Sequence, residues 1–270
     1  MMTAAPRRLI SSRVLVRLLG LLALAIIFAW RFLPQTPTIW RPPPHDRHNA
    51  WLGSEGRNVE TAAEGSAVAQ APYPILRMVN VKHPQDGPCL LVLTAEQSGR
   101  QPRGSHLYLA PLGDLGRMRE LSPEPTYNFW DLSVGDVDGD GVAEVALCTF
   151  SQTARDAALA RRFFVYRWDK QGDLEPIWRG SQLCRPYLAA ALADVTGDDD
   201  AELVSVERAL SGKLVVVAYR WNQFGFWGLG HTAEYDAIGL VTPLRNTAGD
   251  KWLRIQCRRG HRKLEVLWRP

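Results

Sequence analysis

The feature that most constrains this chain is a block that occurs twice. The run Asp136-Val-Asp138-Gly-Asp140-Gly-Val142-Ala-Glu144, followed by Val-Ala-Leu, recurs as Asp194-Val-Thr196-Gly-Asp198-Asp-Asp200-Ala-Glu202, followed by Leu-Val-Ser, with starts 58 residues apart. A second shared piece comes behind each copy, Phe164-Val-Tyr-Arg-Trp168 and Val217-Ala-Tyr-Arg-Trp221, 53 residues apart. Weaker copies at 80–89 and 244–252 stand in the same place relative to an apolar run but lack the acids. Self-similarity at a fixed period is the signature of a repeated supersecondary unit, here of about 50 to 58 residues. Between the blocks the chain is written in short apolar runs rich in Val, Leu, Tyr and Trp, bounded by Gly, Pro and Asp, which is strand chemistry. The clearest strands fall at 75–81, 89–93, 107–110, 142–150, 163–168, 202–207, 214–221, 252–257 and 264–268. The stretch 153–161 reads as the single helical candidate, or as a loop, and 264–268 as the first strand of a truncated fifth unit placed to pair with the first unit. A period of this length accommodates one small sheet per unit, arranged radially so that each buries its faces on its neighbours. The expected fold class is therefore all-β, a small or open β-propeller-like array of about four repeats within 73–270.

The first 33 residues have a different character. Arg7, Arg8, Arg13, Arg17 and Arg31 all precede the first acid, Asp46, and enclose the uninterrupted apolar run 18–30. Counted from 14 to 33, with Arg17 and Arg31 reaching toward the two interfaces, the segment has about 20 residues, enough to cross roughly 30 Å of hydrocarbon. Its end carries Phe28, Trp30, Arg31 and Phe32, where a cleavage site needs small residues, so an uncleaved signal-anchor transmembrane helix is expected. Basic residues on its N-terminal side put that end in the cytoplasm and the rest in the periplasm or outside the cell. Residues 34–72 follow with Pro42, Pro43 and Pro44, then Ala, Glu, Gly and Ser without period: a flexible, Pro-rich linker. The formal charge of +4 belongs to the basic end, because beyond position 34 the chain has 27 basic residues against 28 acidic ones. A near-neutral remainder lacks the basic face that phosphate neutralisation requires, so nucleic acid is not an expected partner.

The repeated acids carry the chemistry. Asp136, Asp138 and Asp140 at alternating positions, with Glu144 four beyond the last, set carboxylates around a tight turn. Oxygen ligands at about 2.3 to 2.6 Å suit the hard cation Ca²⁺. Gly139 and Gly141 let the turn bend, and the Val142 carbonyl offers a further oxygen. An EF-hand would need Glu at its twelfth position, where Leu147 stands. The second loop offers Asp194, Asp198, Asp200 and Glu202, with neutral Thr196 in the place of Asp138, and is expected to bind more weakly. The alternative for each loop is a solvated acidic turn. These blocks resemble the FG-GAP/VCBS repeats, the integrin-α-like β-propeller repeats, through Asp136-x-Asp138-Gly-Asp140-Gly-x-x-Glu144 and Asp194-x-Thr196-Gly-Asp198-x-x-x-Glu202, each followed by an apolar triplet. The resemblance spans about 77–270 and implies propeller blades, with room for about four where the family usually has seven. A shortfall of blades makes a homo-oligomer that completes the ring a further expectation.

Other features are less specific. Cys89, Cys148, Cys184 and Cys257 are far apart with no C-x-x-C pair, which removes zinc-ribbon and thioredoxin readings. No G-x-S-x-G, H-E-x-x-H or phosphate-cradling glycine loop is present, so no catalytic residues are assigned. Trp221, Phe224, Phe226 and Trp227, spaced by Gly225, form an aromatic stretch suited to stacking on sugars or a protein, or to packing between units. Arg258, Arg259 and Arg262 gather around Gly260 at a turn, where they can grip an anionic group or remain solvated. The expected function is a membrane-anchored, extracytoplasmic, calcium-binding module for a protein or polysaccharide. The alternatives are a glycan-active enzyme or a structural subunit of an envelope complex.

Overall fold

The computed structural model describes residues 73–97, 102–123, 128–153, 156–180, 183–245 and 250–270. The expected basic end and transmembrane helix within 1–33 and the linker at 34–72 lie outside the described residues, and among those described no helix is long and apolar enough to cross a membrane. What is described is all-β apart from one 3₁₀ turn at Leu115–Arg117.

Four antiparallel sheets follow one another along the chain. The first holds β1 (Ile75–His83), β2 (Gly87–Gln97), β3 (Arg103–Pro111) and the short β4 (Arg119–Glu120). The second holds β5 (Phe129–Gly135), β6 (Glu144–Thr153), β7 (Asp156–Trp168) and β8 (Leu174–Arg179). The third holds β9 (Tyr187–Ala193), β10 (Glu202–Arg208), β11 (Leu214–Trp221) and β12 (Phe226–His231). The fourth stops at three strands, β13 (Ala237–Arg245), β14 (Lys251–Arg259) and β15 (Arg262–Trp268). Each is a meander in which every strand pairs with its neighbour in sequence, and no sheet closes on itself.

Sheet packing follows from the period-two alternation of strand side chains. In β6, Val145 and Leu147 point to one face and join Leu91, Leu93 and Leu107 of the first sheet. Ala146 and Cys148 point to the other and join Ala190, Leu203 and Val217 of the third. Likewise Val204 and Val206 of β10 meet Ile238, Val241, Leu253 and Ile255 of the fourth sheet. Sheets two and three are thus covered on both faces, which is why their second strands read as unbroken apolar runs. Full burial of each Val, Leu or Ile among them is worth about 1.5 to 3 kcal/mol. The first strands of the first three sheets lie side by side, β1 against β5 and β5 against β9. The approach is closest at Gly135, where a Cβ would stand 2.6 Å from that of Ala201 and 3.0 Å from that of Leu192. The Ala201 amide donates to the Asp136 carbonyl there at 2.5 Å.

Two expectations are corrected. The stretch 153–161 is neither helix nor loop throughout, since Thr153 ends β6 and Asp156 begins β7; pairing along β6 overrides the helix preference of its alanines. The segment 264–268 does not start a fifth unit, because β15 pairs with β14 from Leu253↔Trp268 to Arg259↔Arg262 and so is the third strand of the fourth sheet. All four cysteines are free, three of them buried and Cys184 exposed.

Candidate metal centre

Both acidic blocks occupy the turn between the first and second strands of their sheets, and the backbone folds them alike. In the first loop the Asp136 carboxylate accepts from the amides of Gly139 and Gly141, each at 2.7 Å, and Glu144 accepts from the Val137 amide at 2.9 Å. In the second, Asp194 accepts from Gly197 at 2.7 Å and Asp199 at 2.8 Å, and Glu202 from Val195 at 3.0 Å. The spacing of donors and acceptors is the same in both. The turn requires left-handed backbone at Gly139 and Gly141 (φ 76° and 84°), and in the second loop at Gly197 and, unusually for a residue with a side chain, Asp199 (φ 73°).

The geometry brings together one ligand atom each from Asp136, Asp138 and Glu144, all within 4.8 Å of one another, and likewise from Asp194, Asp198 and Glu202. Such a trio of carboxylates around a turn suits a hard divalent cation such as Ca²⁺, with backbone carbonyls or water completing the shell. Asp140 stands outside its trio and accepts from the Val142 amide at 2.8 Å. Asp200 leaves its own loop and lies against Gly139 of the first, where a Cβ would come within 2.8 Å of its Oδ1. Thr196 donates to Asp198 at 2.8 Å and to Glu202 at 3.1 Å.

Electrostatics separate the loops. Glu144 is only 2% exposed, and its carboxyl is pushed up to about 7 by burial, with Asp138, Asp140 and Asp136 adding to the rise against the Val137 amide. Burial raises the Asp200 carboxyl too, together with Asp198 and Asp136. For Asp198, burial acts upward, but the Thr196 hydroxyl and Arg220 outweigh it and hold the group below its usual value.

Sequence reasoning missed the cations. Arg167 of β7 reaches Asp138 at 3.0 Å, and Arg220 of β11 reaches Asp198 at 2.6 Å, Glu202 at 2.8 Å and the Thr196 hydroxyl at 2.8 Å. The signal was present, since both arginines hold the same place in the repeated Tyr-Arg-Trp. Together with Asp140, Asp200 and Asn222 the two arginines line a cleft of about 590 Å³ between the loops. Lys251, bonded to Asp194 and Asp199, had no such signal, because it comes from the next sheet.

The aromatic residues divide. Trp221 is buried and meets Phe226 edge-on at 5.2 Å, whereas Phe224 and Trp227 are 89% and 69% exposed. Phe224, Phe226 and Trp227 line a shallow pocket with Trp178, Cys184 and Tyr219. Beneath it the Tyr219 hydroxyl donates to fully buried Glu207 at 2.5 Å and accepts from the Cys184 amide at 3.3 Å. Arg258, Arg259 and Arg262 surround the β14–β15 turn: Arg258 donates to the Gly260 carbonyl, Arg259 stacks over Tyr235 at 5.4 Å, and Arg262 is exposed. No family model matches the chain, and no curated protein matches it in sequence.

Proposed function

We propose that this chain is a membrane-anchored, extracytoplasmic binding module whose four sheets are the blades of a small β-propeller of FG-GAP/VCBS type, with calcium bound at the first acidic loop. The observation that carries this reading is the convergence of Asp136, Asp138 and Glu144 on one point, in a turn whose hydrogen-bond pattern returns in the next sheet. Among the described residues no side-chain cation pairs with Asp136 or with buried Glu144, and a divalent ion would supply that charge. Its role is structural: the ligands are the turn's own carboxylates, and the ion relieves their mutual repulsion. The exposed rings of Phe224 and Trp227 offer the surface for a protein or polysaccharide partner.

The test is a thermal melt of the full-length chain in chelator and in 5 mM calcium. With affinity in the range of extracellular sites, around 10⁻⁴ to 10⁻³ M, calcium stabilises the fold by about 1 to 2 kcal/mol, and Asp136→Ala abolishes the gain. A melting temperature that ignores both calcium and chelator overturns the reading.

A further inference from the structure

The two acidic loops differ in what the following sheet presses against them. At the first loop the neighbour is the entry to β10, where Ala201 bonds the Asp136 carbonyl and Asp200 brings another carboxylate beside Gly139. Leu203 of β10 faces the second sheet and Leu253 of β14 faces the third, which makes Lys251, two residues ahead of Leu253, the counterpart of Ala201 in the fourth sheet. At the second loop, therefore, the place held by the Ala201 methyl group is held by an ammonium group.

That ammonium is engaged. Lys251 Nζ donates to Asp194 Oδ2 and, at 3.1 Å, to Asp199 Oδ1, with the lysine side chain 14% exposed. Asp199 stands where the first loop has Gly141, so the second loop carries an extra carboxylate aimed at the lysine. Arg220 completes the neutralisation on Asp198 and Glu202 and donates to the Thr196 hydroxyl, and Arg269 donates to the Thr196 carbonyl at 2.8 Å. In the first loop the corresponding aid is Arg167 on exposed Asp138, whereas Arg220 in the second also reaches buried Glu202. A metal entering the second loop would displace Lys251 from Asp194 and leave a largely buried ammonium beside a dication, which like-charge repulsion and desolvation both oppose.

Resting on the calcium reading above, we infer that Lys251 and Arg220 are the resident counter-cations of the second loop, and that the chain takes up one ion, at the first loop, with Lys251 setting that number. The experiment counts bound Ca²⁺ by equilibrium dialysis on the full-length wild type, Asp136→Asn and Lys251→Met, and melts each in chelator together with Lys251→Met/Asp194→Asn. The expected counts are one, none and two, the last with millimolar affinity at the new site. In chelator, Lys251→Met melts below wild type and the double variant recovers, because removing both charges leaves neither unpaired. Two ions on the wild type overturn the inference, as does a Lys251→Met chain with an unchanged count and an unchanged melt. If no variant binds calcium while the chelator melts keep the expected order, the calcium reading falls and the counter-cation role of Lys251 stands.

Discussion

Glu144 concentrates the conflict of the first loop, a buried carboxyl among aspartates with one amide to stabilise its charge. Its folded value of about 7 stands above the unfolded one of 4.5, so the folded state binds more protons between the two. In chelator, stability is therefore greatest below about pH 4.5 as far as this group is concerned, and is lost as pH rises through 7, by about 2 to 3 kcal/mol. Chemical denaturation of the metal-free chain at pH 5 and pH 8 measures it, and Glu144→Gln flattens the difference; an unchanged pH dependence in that variant refutes the assignment. Glu207 is fully buried: its Oε1 accepts from the hydroxyls of Tyr219 and Ser205, and Arg185 stands 3.6 Å from its Oε2. Removing the phenol hydroxyl in Tyr219→Phe is expected to destabilise the chain by about 1 to 3 kcal/mol, read as a shifted denaturation midpoint.

Among the elements, the contact between β5 and the third sheet is the least tolerant of added volume. Gly135→Ala puts a methyl 2.6 Å from the Ala201 Cβ and 3.0 Å from the Leu192 Cβ, so the sheets must separate. A loss of about 1 to 3 kcal/mol is expected by denaturant titration, and a neutral result would mean that the interface is looser than the backbone places it. This contact also explains which strands the sequence revealed. β2, β6, β10 and β11 were legible as Val- and Leu-rich runs, because each is central in its sheet. β9 is Tyr-Leu-Ala-Ala-Ala-Leu-Ala, its small residues fitted to the close approach of neighbouring sheets rather than to strand propensity, and it was missed. The outer strands β8 and β12 were hidden by Pro176 and by Gly228 and Gly230, residues that edge strands tolerate. The trios of Asp136, Asp138 and Glu144 and of Asp194, Asp198 and Glu202 were legible because each is local to one turn, whereas Asp200, expected with the second, lies against Gly139 of the first. Lys251 was not, because only the juxtaposition of two sheets gives it a partner.

At the scale of the whole molecule, packing residues and surface residues separate cleanly. Phe224→Ala and Trp227→Ala are expected to leave the melting temperature within about a degree while weakening capture of a protein or glycan partner, since both rings are mostly exposed. A melt lowered by several degrees would assign them to the fold instead. The strand order has a consequence of its own. Because each sheet is a meander of consecutive strands, its pairing is complete as soon as its last strand leaves the ribosome or a translocation channel, with no piece held in wait for a distant segment. Each finished sheet then offers an apolar face on which the next one condenses, so the molecule can assemble in the direction of its own synthesis.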